Sequence, residues 1–319
     1  MTQIPTLDDV WRAAERIAGH VRRTPVLDSA SLNALSGAEL YFKCENFQRM
    51  GAFKFRGACN AVMQLGAAEA ARGVATHSSG NHAAALALAA QRRGIKATVV
   101  MPENTLRPKI ENVRRYGGEI HLCGTRPGDR EAMLAEILAR TGAVEVHPYT
   151  HPHVIAGQGT AALELVREVG RLDVLVAPVS GGGLLGGSAI AGKGLLPALA
   201  IVGAEPAGAD DAARSLHSGQ LQGNREVHTI CDGLRANLGA INFEILRSRG
   251  AEIINVEDAA TLAAMRLIYE RLKIVIEPSC AIVLAAVLQA RERFAGRRVG
   301  LILSGGNVDL DVLPFGAAS

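Results

Sequence analysis

Short β-branched runs alternate with Ala- and Leu-rich stretches of helical period along most of this chain. Strand side chains repeat every second residue and helical ones with a period of 3.6, so the pattern separates the two. Val74 to His77 reads as a strand and Asn81 to Arg93 as a helix. A strand over Ala97 to Met101, a helix over Thr105 to Tyr116 and a strand over Glu119 to Cys123 follow. Asp129 to Thr141 predicts a helix and Ala143 to Val146 a strand. The pattern then restarts with a helix from about His153 to Val169, a buried strand from Val174 to Ala177, a glycine loop and another helix. Ile201 to Ala204, Glu252 to Val256 and Val299 to Leu303 are the remaining strands. Strand–helix–strand repetition implies an α/β fold of parallel open sheets with helices on both faces.

The run from 73 to 150 reads as a small α/β domain inserted into a larger one made of 1–66 and 151–319. Pro148 and Pro152 interrupt the chain at the second boundary. Ligands of open α/β sheets sit beyond the carboxyl ends of the strands, which directs attention to the loops there.

Composition narrows the class. With 48% hydrophobic and 20% charged residues in 319, the chain is neither disordered nor fibrous. A net charge of +3, spread without a basic block, argues against nucleic acid. Cys44, Cys59, Cys123, Cys231 and Cys280 are scattered, so neither a zinc site nor a disulfide framework follows. No basic segment followed by an apolar one opens the chain, and its apolar stretches break well before ~18 residues. A cytoplasmic protein with no membrane partner is expected.

Candidate chemistry begins with Lys54, one of only six lysines in an arginine-rich chain, framed by Phe53 and Phe55. An apolar pocket disfavours the ammonium, freeing an amine for Schiff-base chemistry. The plainer reading is a lysine whose stem lies along a phenylalanine at a helix start. Three loops bear on the choice: Ser78-Ser79-Gly80-Asn81-His82, Ser180-Gly181-Gly182-Gly183-Leu184-Leu185-Gly186-Gly187 and Ser304-Gly305-Gly306-Asn307. The second, between a strand and a helix, offers backbone amides at a positive helix terminus, which suits a phosphate. It is also literally G-x-G-x-x-G, with Glu205 ending the next strand about 20 residues on, as in a dinucleotide site. A nicotinamide-dependent dehydrogenase is thus a rival, although it leaves Lys54 and the other two loops without a task.

Lys54 in its phenylalanine frame, Ser-Ser-Gly-Asn-His, the glycine loop, Glu277-Pro278-Ser279 and Ser-Gly-Gly-Asn-Val-Asp resemble, in order, the fold-type-II pyridoxal-phosphate enzymes. Among these the chain looks most like the serine racemase, serine/threonine dehydratase and 3-hydroxyaspartate dehydratase branch, from Thr24 to Asp309. The resemblance implies the two-domain, tryptophan synthase beta-like fold and pyridoxal 5'-phosphate as cofactor. By it, Lys54 holds the cofactor aldehyde and later acts as base, with Phe53 beside it. Gly181, Gly182, Gly183 and Leu184 cradle the phosphate, Asn81 bonds the phenolic oxygen, and Ser304 faces the pyridine nitrogen. A hydroxyl there leaves the ring largely neutral, a weaker electron sink that favours elimination.

Ser79 stands where the threonine dehydratase members resemble Ala, and a hydroxyl opposite Lys54 would handle the α-proton from the other face. Its plainer role is a helix cap. Ser78, Ser79, Asn81 and His82 would hold the substrate α-carboxylate. Arg130 aligns with a side-chain carboxylate clamp, pointing to a dicarboxylic substrate, although an exposed helix arginine reads the same in sequence. Glu205, the Ala209 carbonyl and Asp211 resemble a divalent-cation site suited to Mg²⁺, Mn²⁺ or Ca²⁺.

Ser180 and Ala236 depart from the family pattern, which has glycine and, in the racemase-like members, serine there. The expected activity is dehydration of 3-hydroxyaspartate or serine, then threonine, to a 2-keto acid and ammonia. Racemisation is expected as an accompanying or alternative activity, in a homodimer.

Overall fold

The computed structural model describes residues 3–78, 80–126, 128–310, 313 and 315. Its ten strands among these residues are β1 (Val26–Leu27), β2 (Glu39–Cys44), β3 (Val74–His77), β4 (Ala97–Pro102), β5 (Glu119–Cys123), β6 (Val144–Glu145), β7 (Val174–Pro178), β8 (Ala200–Pro206), β9 (Glu252–Val256) and β10 (Arg298–Leu303). They form a six-stranded sheet in the order β1-β2-β10-β7-β8-β9 and a four-stranded sheet in the order β5-β4-β3-β6. Every pair is parallel except β1 with β2, a short antiparallel edge that the alternation in the sequence did not mark.

The middle of the larger sheet is buried on both faces. Val174 and Val176 pack into one apolar cluster while Leu175 and Ala177 pack into another, as the two-residue period of a strand requires. That is why β7 reads as an unbroken apolar run.

Three helices carry the functional loops into register through glycine contacts. A Cβ on Gly157, in the helix Pro152–Val169, would lie 2.7 Å from the Gly57 Cα of the helix Lys54–Met63. One on Gly187, in the helix Gly183–Leu195, would lie 2.3 Å from the Ile155 carbonyl oxygen. The helix Pro152–Val169 is thus in backbone contact on one side with the helix that begins at Lys54. On its other side it touches the helix that begins in the glycine loop. No helix among the described residues is long and apolar enough to cross a membrane.

Candidate active site

Lys54 opens its helix, and the preceding Phe53 amide donates to the Ser304 carbonyl at 3.0 Å. Ala52 and Gly305 form an antiparallel bridge, and Gly306 donates to the Gly51 carbonyl at 2.9 Å. This pairing draws the end of β10 against the start of the Lys54 helix, so that the lysine and Ser304 become neighbours. The Lys54 ammonium donates to the Pro148 carbonyl at 3.0 Å and lies 5.2 Å from the Phe53 ring centroid. Burial pushes its pKa from 10.5 down to about 8, against the opposing pull of the Glu277 carboxylate. Such an amine is both a nucleophile and a base near neutral pH.

Beyond Pro148 lies Tyr149, and against Tyr149 lies the glycine loop. A Cβ on Gly181 would fall 2.3 Å from the Tyr149 ring, and Gly182 has φ +88°, so neither position tolerates a side chain. The amides of Gly181, Gly182, Gly183 and Leu184 meet no protein acceptor among the described residues. Free amides at the start of a helix form an anion cradle. Ser180 turns aside from it: its hydroxyl donates to the Ala236 carbonyl and accepts from the Ala236 amide, each at 3.0 Å. The two positions that depart from the family pattern are therefore bonded to each other.

Asn81 begins the helix Asn81–Arg93, and its Nδ2 donates to both oxygens of Glu277 at 3.1 and 3.3 Å. Its Oδ1 accepts from Asn307 Nδ2 at 2.8 Å, which fixes the amide's orientation. Burial pushes the Glu277 carboxyl up to about 7. Ser78 Oγ accepts from the Gly80 amide at 3.3 Å. His82 is buried, with Nε2 on the Val146 carbonyl at 2.9 Å and Nδ1 without a partner among the described residues, and burial pushes its pKa down to about 3. It is a neutral strut between its helix and the segment after β6. Ser79 lies outside the described residues.

Arg130 stands exposed at the start of the helix Asp129–Thr141, its nearest carboxylate among the described residues being Glu131 at 4.0 Å. A surface pair that long contributes little, so the guanidinium is available to another partner. Its charge acts on the Tyr149 phenol and the His77 ring. Glu205 lies near the end of β8, Ala209 in the turn that follows and Asp211 at the start of the helix Asp211–Ser218. The Glu205 oxygens accept from the Ala212 and Ala213 amides at 2.8 and 2.9 Å, while Asp211 accepts from the Leu238 amide at 2.7 Å. Burial pushes Glu205 up to about 8, reinforced by the Asp211 and Asp210 charges.

Residues 17–305 match the family described as Pyridoxal-phosphate dependent enzyme. The chain belongs to that family. This enzyme is 50% identical to the beta-hydroxyaspartate dehydratase of Paracoccus denitrificans (strain Pd 1222), over 98% of its own length and 99% of the relative's. It is 47% identical to the serine racemase of Arabidopsis thaliana, over 95% and 93% of the two chains. Its fold matches the structure of maize serine racemase with a TM-score of 0.95 at 44% identity, covering 98% and 96% of the two chains. It has the fold-type-II architecture.

Pyridoxal phosphate fits the residues present. Four amides with no acceptor among the described residues lie at a helix start against Tyr149, and a weakly basic lysine meets the carbonyl of the preceding Pro148. The dinucleotide reading of the glycine loop falls with the family assignment. Glu277, Tyr149 and Asn242 are site residues that the sequence did not single out. Glu277 stood within a quoted motif, but no spacing connects it to Asn81; Tyr149 and Asn242 carry no local signal at all.

Proposed function

We propose that this enzyme eliminates water from 3-hydroxyaspartate, releasing ammonia and a 2-oxo dicarboxylic acid. Serine and threonine would be lesser substrates and racemisation an accompanying reaction. The observation that carries the reading is the Lys54 amine, held at the Pro148 carbonyl with a pKa of about 8, beside the free amides of the glycine loop. Arg130 supports the second carboxylate, since its charge acts on Tyr149 and its only near carboxylate among the described residues lies 4.0 Å away. The named activity of the Paracoccus relative supports the same substrate.

Bound pyridoxal phosphate supplies the electron sink that makes the substrate's α-proton removable. The loop after β3 and the start of the helix Asn81–Arg93 hold the α-carboxylate, and Arg130 holds the β-carboxylate. Lys54 Nζ takes the α-proton, the Cβ–O bond breaks, and the hydroxyl leaves as water with one proton. The enamine released tautomerises to an imine, which adds water and loses ammonia. Ser79 would serve the α-proton from the face opposite Lys54, which is the basis for racemisation.

Glu205, Asp211 and the Ala209 carbonyl would hold a divalent cation, Mg²⁺ first, with Mn²⁺ and Ca²⁺ as alternatives. Two buried carboxylates, both pushed up by burial and Glu205 further by the Asp211 charge, suit a dication. No group of three or more His, Cys, Asp or Glu residues suited to a metal occurs among the described residues, so carbonyl and water oxygens would complete the shell.

The test is keto-acid release from L- and D-serine, L-threonine and both 3-hydroxyaspartate diastereomers, with Mg²⁺ and again after chelation. A hydroxyaspartate should lead by kcat/KM, Arg130→Ala should remove that lead by about tenfold or more, and chelation should lower both rate and Tm. Equal kcat/KM for serine and hydroxyaspartate would refute the clamp, and indifference to chelation would refute the cation.

A further inference from the structure

Asn242 is wholly buried near the start of the helix Ala240–Ser248, where a polar side chain must have a structural partner. Its Nδ2 donates to the Gly181 carbonyl at 2.6 Å and to the Tyr149 carbonyl at 2.9 Å, using both of its hydrogens. The Gly181 carbonyl also accepts from the Gly239 amide at 3.2 Å. A trans peptide points its C=O and the following N–H in opposite directions. Two donors drawing the Gly181 carbonyl outward therefore aim the Gly182 amide inward, toward the cradle. Asn242 can come this close only because residue 182 is glycine, where a Cβ would lie 2.7 Å from the Asn242 Cβ.

The second bond extends the effect to the other end of the site. Tyr149 follows Pro148, whose carbonyl receives the Lys54 ammonium at 3.0 Å. One amide group thus ties the anion cradle to the segment that meets the reacting lysine. Ser180 and Ala236 add a second clasp, two bonds of 3.0 Å on the opposite flank of the loop.

We infer that Asn242 is a positioning residue of the cofactor site: it orients the cradle amides and registers them against Lys54 through Tyr149. The inference rests on the reading that the glycine loop takes the cofactor's phosphate. It concerns the phosphate end only, so its effect must depend on the phosphate being present on the ligand.

The experiment titrates the apo-enzyme with pyridoxal 5'-phosphate and with pyridoxal, which lacks the phosphate, following the absorbance that develops on Lys54. Wild type, Asn242→Ala, the nearly isosteric Asn242→Asp and Ser180→Ala are compared, each checked by circular dichroism and thermal melting. Loss of two buried hydrogen bonds should weaken pyridoxal phosphate about tenfold to a hundredfold in Asn242→Ala and leave pyridoxal within about twofold. Asn242→Asp should lose at least as much, because a carboxylate cannot donate and repels the phosphate. It decides the matter if the alanine variant does not fold. Ser180→Ala should show a smaller loss with the same dependence on phosphate. Equal losses for both ligands, or none for either, would overturn the positioning role. A wild type that binds the two ligands equally would overturn the cradle reading and the inference with it.

Discussion

The Glu277 carboxylate acts on the Lys54 ammonium, so the state of one bears on the other. Burial holds the lysine at about 8 and the glutamate at about 7, and the glutamate's negative charge favours the ammonium. Only the free amine attacks an aldehyde, so uptake of pyridoxal phosphate by the apo-enzyme should accelerate about tenfold per pH unit below about 8 and level off above it. Glu277→Gln removes the charge that holds the lysine pKa up, so the midpoint should move to lower pH. Stopped-flow absorbance across pH 6 to 10 reads both curves; a midpoint that stays or rises would count against the coupling. At this scale the Lys54 segment, the glycine loop and the loop opening at Ser304 stood out in the sequence by residue type and local setting. Glu277's contact with Asn81 joins residues 196 apart in the chain, a separation that no local pattern encodes.

The Lys54 helix is held by ion pairs as well as by glycine contacts. Arg56, two residues on and wholly buried, binds both Glu45 oxygens at 2.7 and 2.8 Å and both Glu164 oxygens at 2.7 and 2.8 Å. Lys43 completes the group with a bond to Glu164 at 2.6 Å and another to the Thr24 carbonyl at 2.7 Å. Two cations and two anions balance, which makes their burial tolerable. Removing Arg56 would leave Glu45 charged and unpaired in the core. Arg56→Ala should cost about 3–5 kcal/mol in chemical denaturation, and Arg56→Lys should recover only part, lacking the two-pronged geometry. A loss below about 1 kcal/mol would assign the helix's anchoring to the glycine contacts alone. The alternation of apolar and polar residues revealed most helices and strands. It missed β1, because Val26 and Leu27 are too short a run for any period to register, and it missed β2, where the buried Lys43 interrupts the apolar run.

Across the whole molecule, a surface ion pair spans the two sheets. Lys109, in the helix Arg107–Arg115 beside the smaller sheet, meets Asp232 of the larger unit at 2.6 Å, and both charges act on Glu277. An exposed pair contributes at most about 1 kcal/mol, so Lys109→Ala should leave Tm nearly unchanged. If the pair helps hold the two units together over the substrate, KM should rise up to about fivefold, with a matching sensitivity of the wild type to salt. An unchanged KM at low ionic strength would show that the pair is incidental. The sequence alone determined the α/β class and the family, and it singled out the glycine loop and the Lys54 segment, because these depend on residue type and short-range spacing. The tertiary structure decided how those loops meet. Gly57, Gly157 and Gly187 bring three helices into backbone contact, and Asn242 and Tyr149 join the anion cradle to Lys54. These contacts come from residues far apart in the chain, whose proximity exists only after the core has packed.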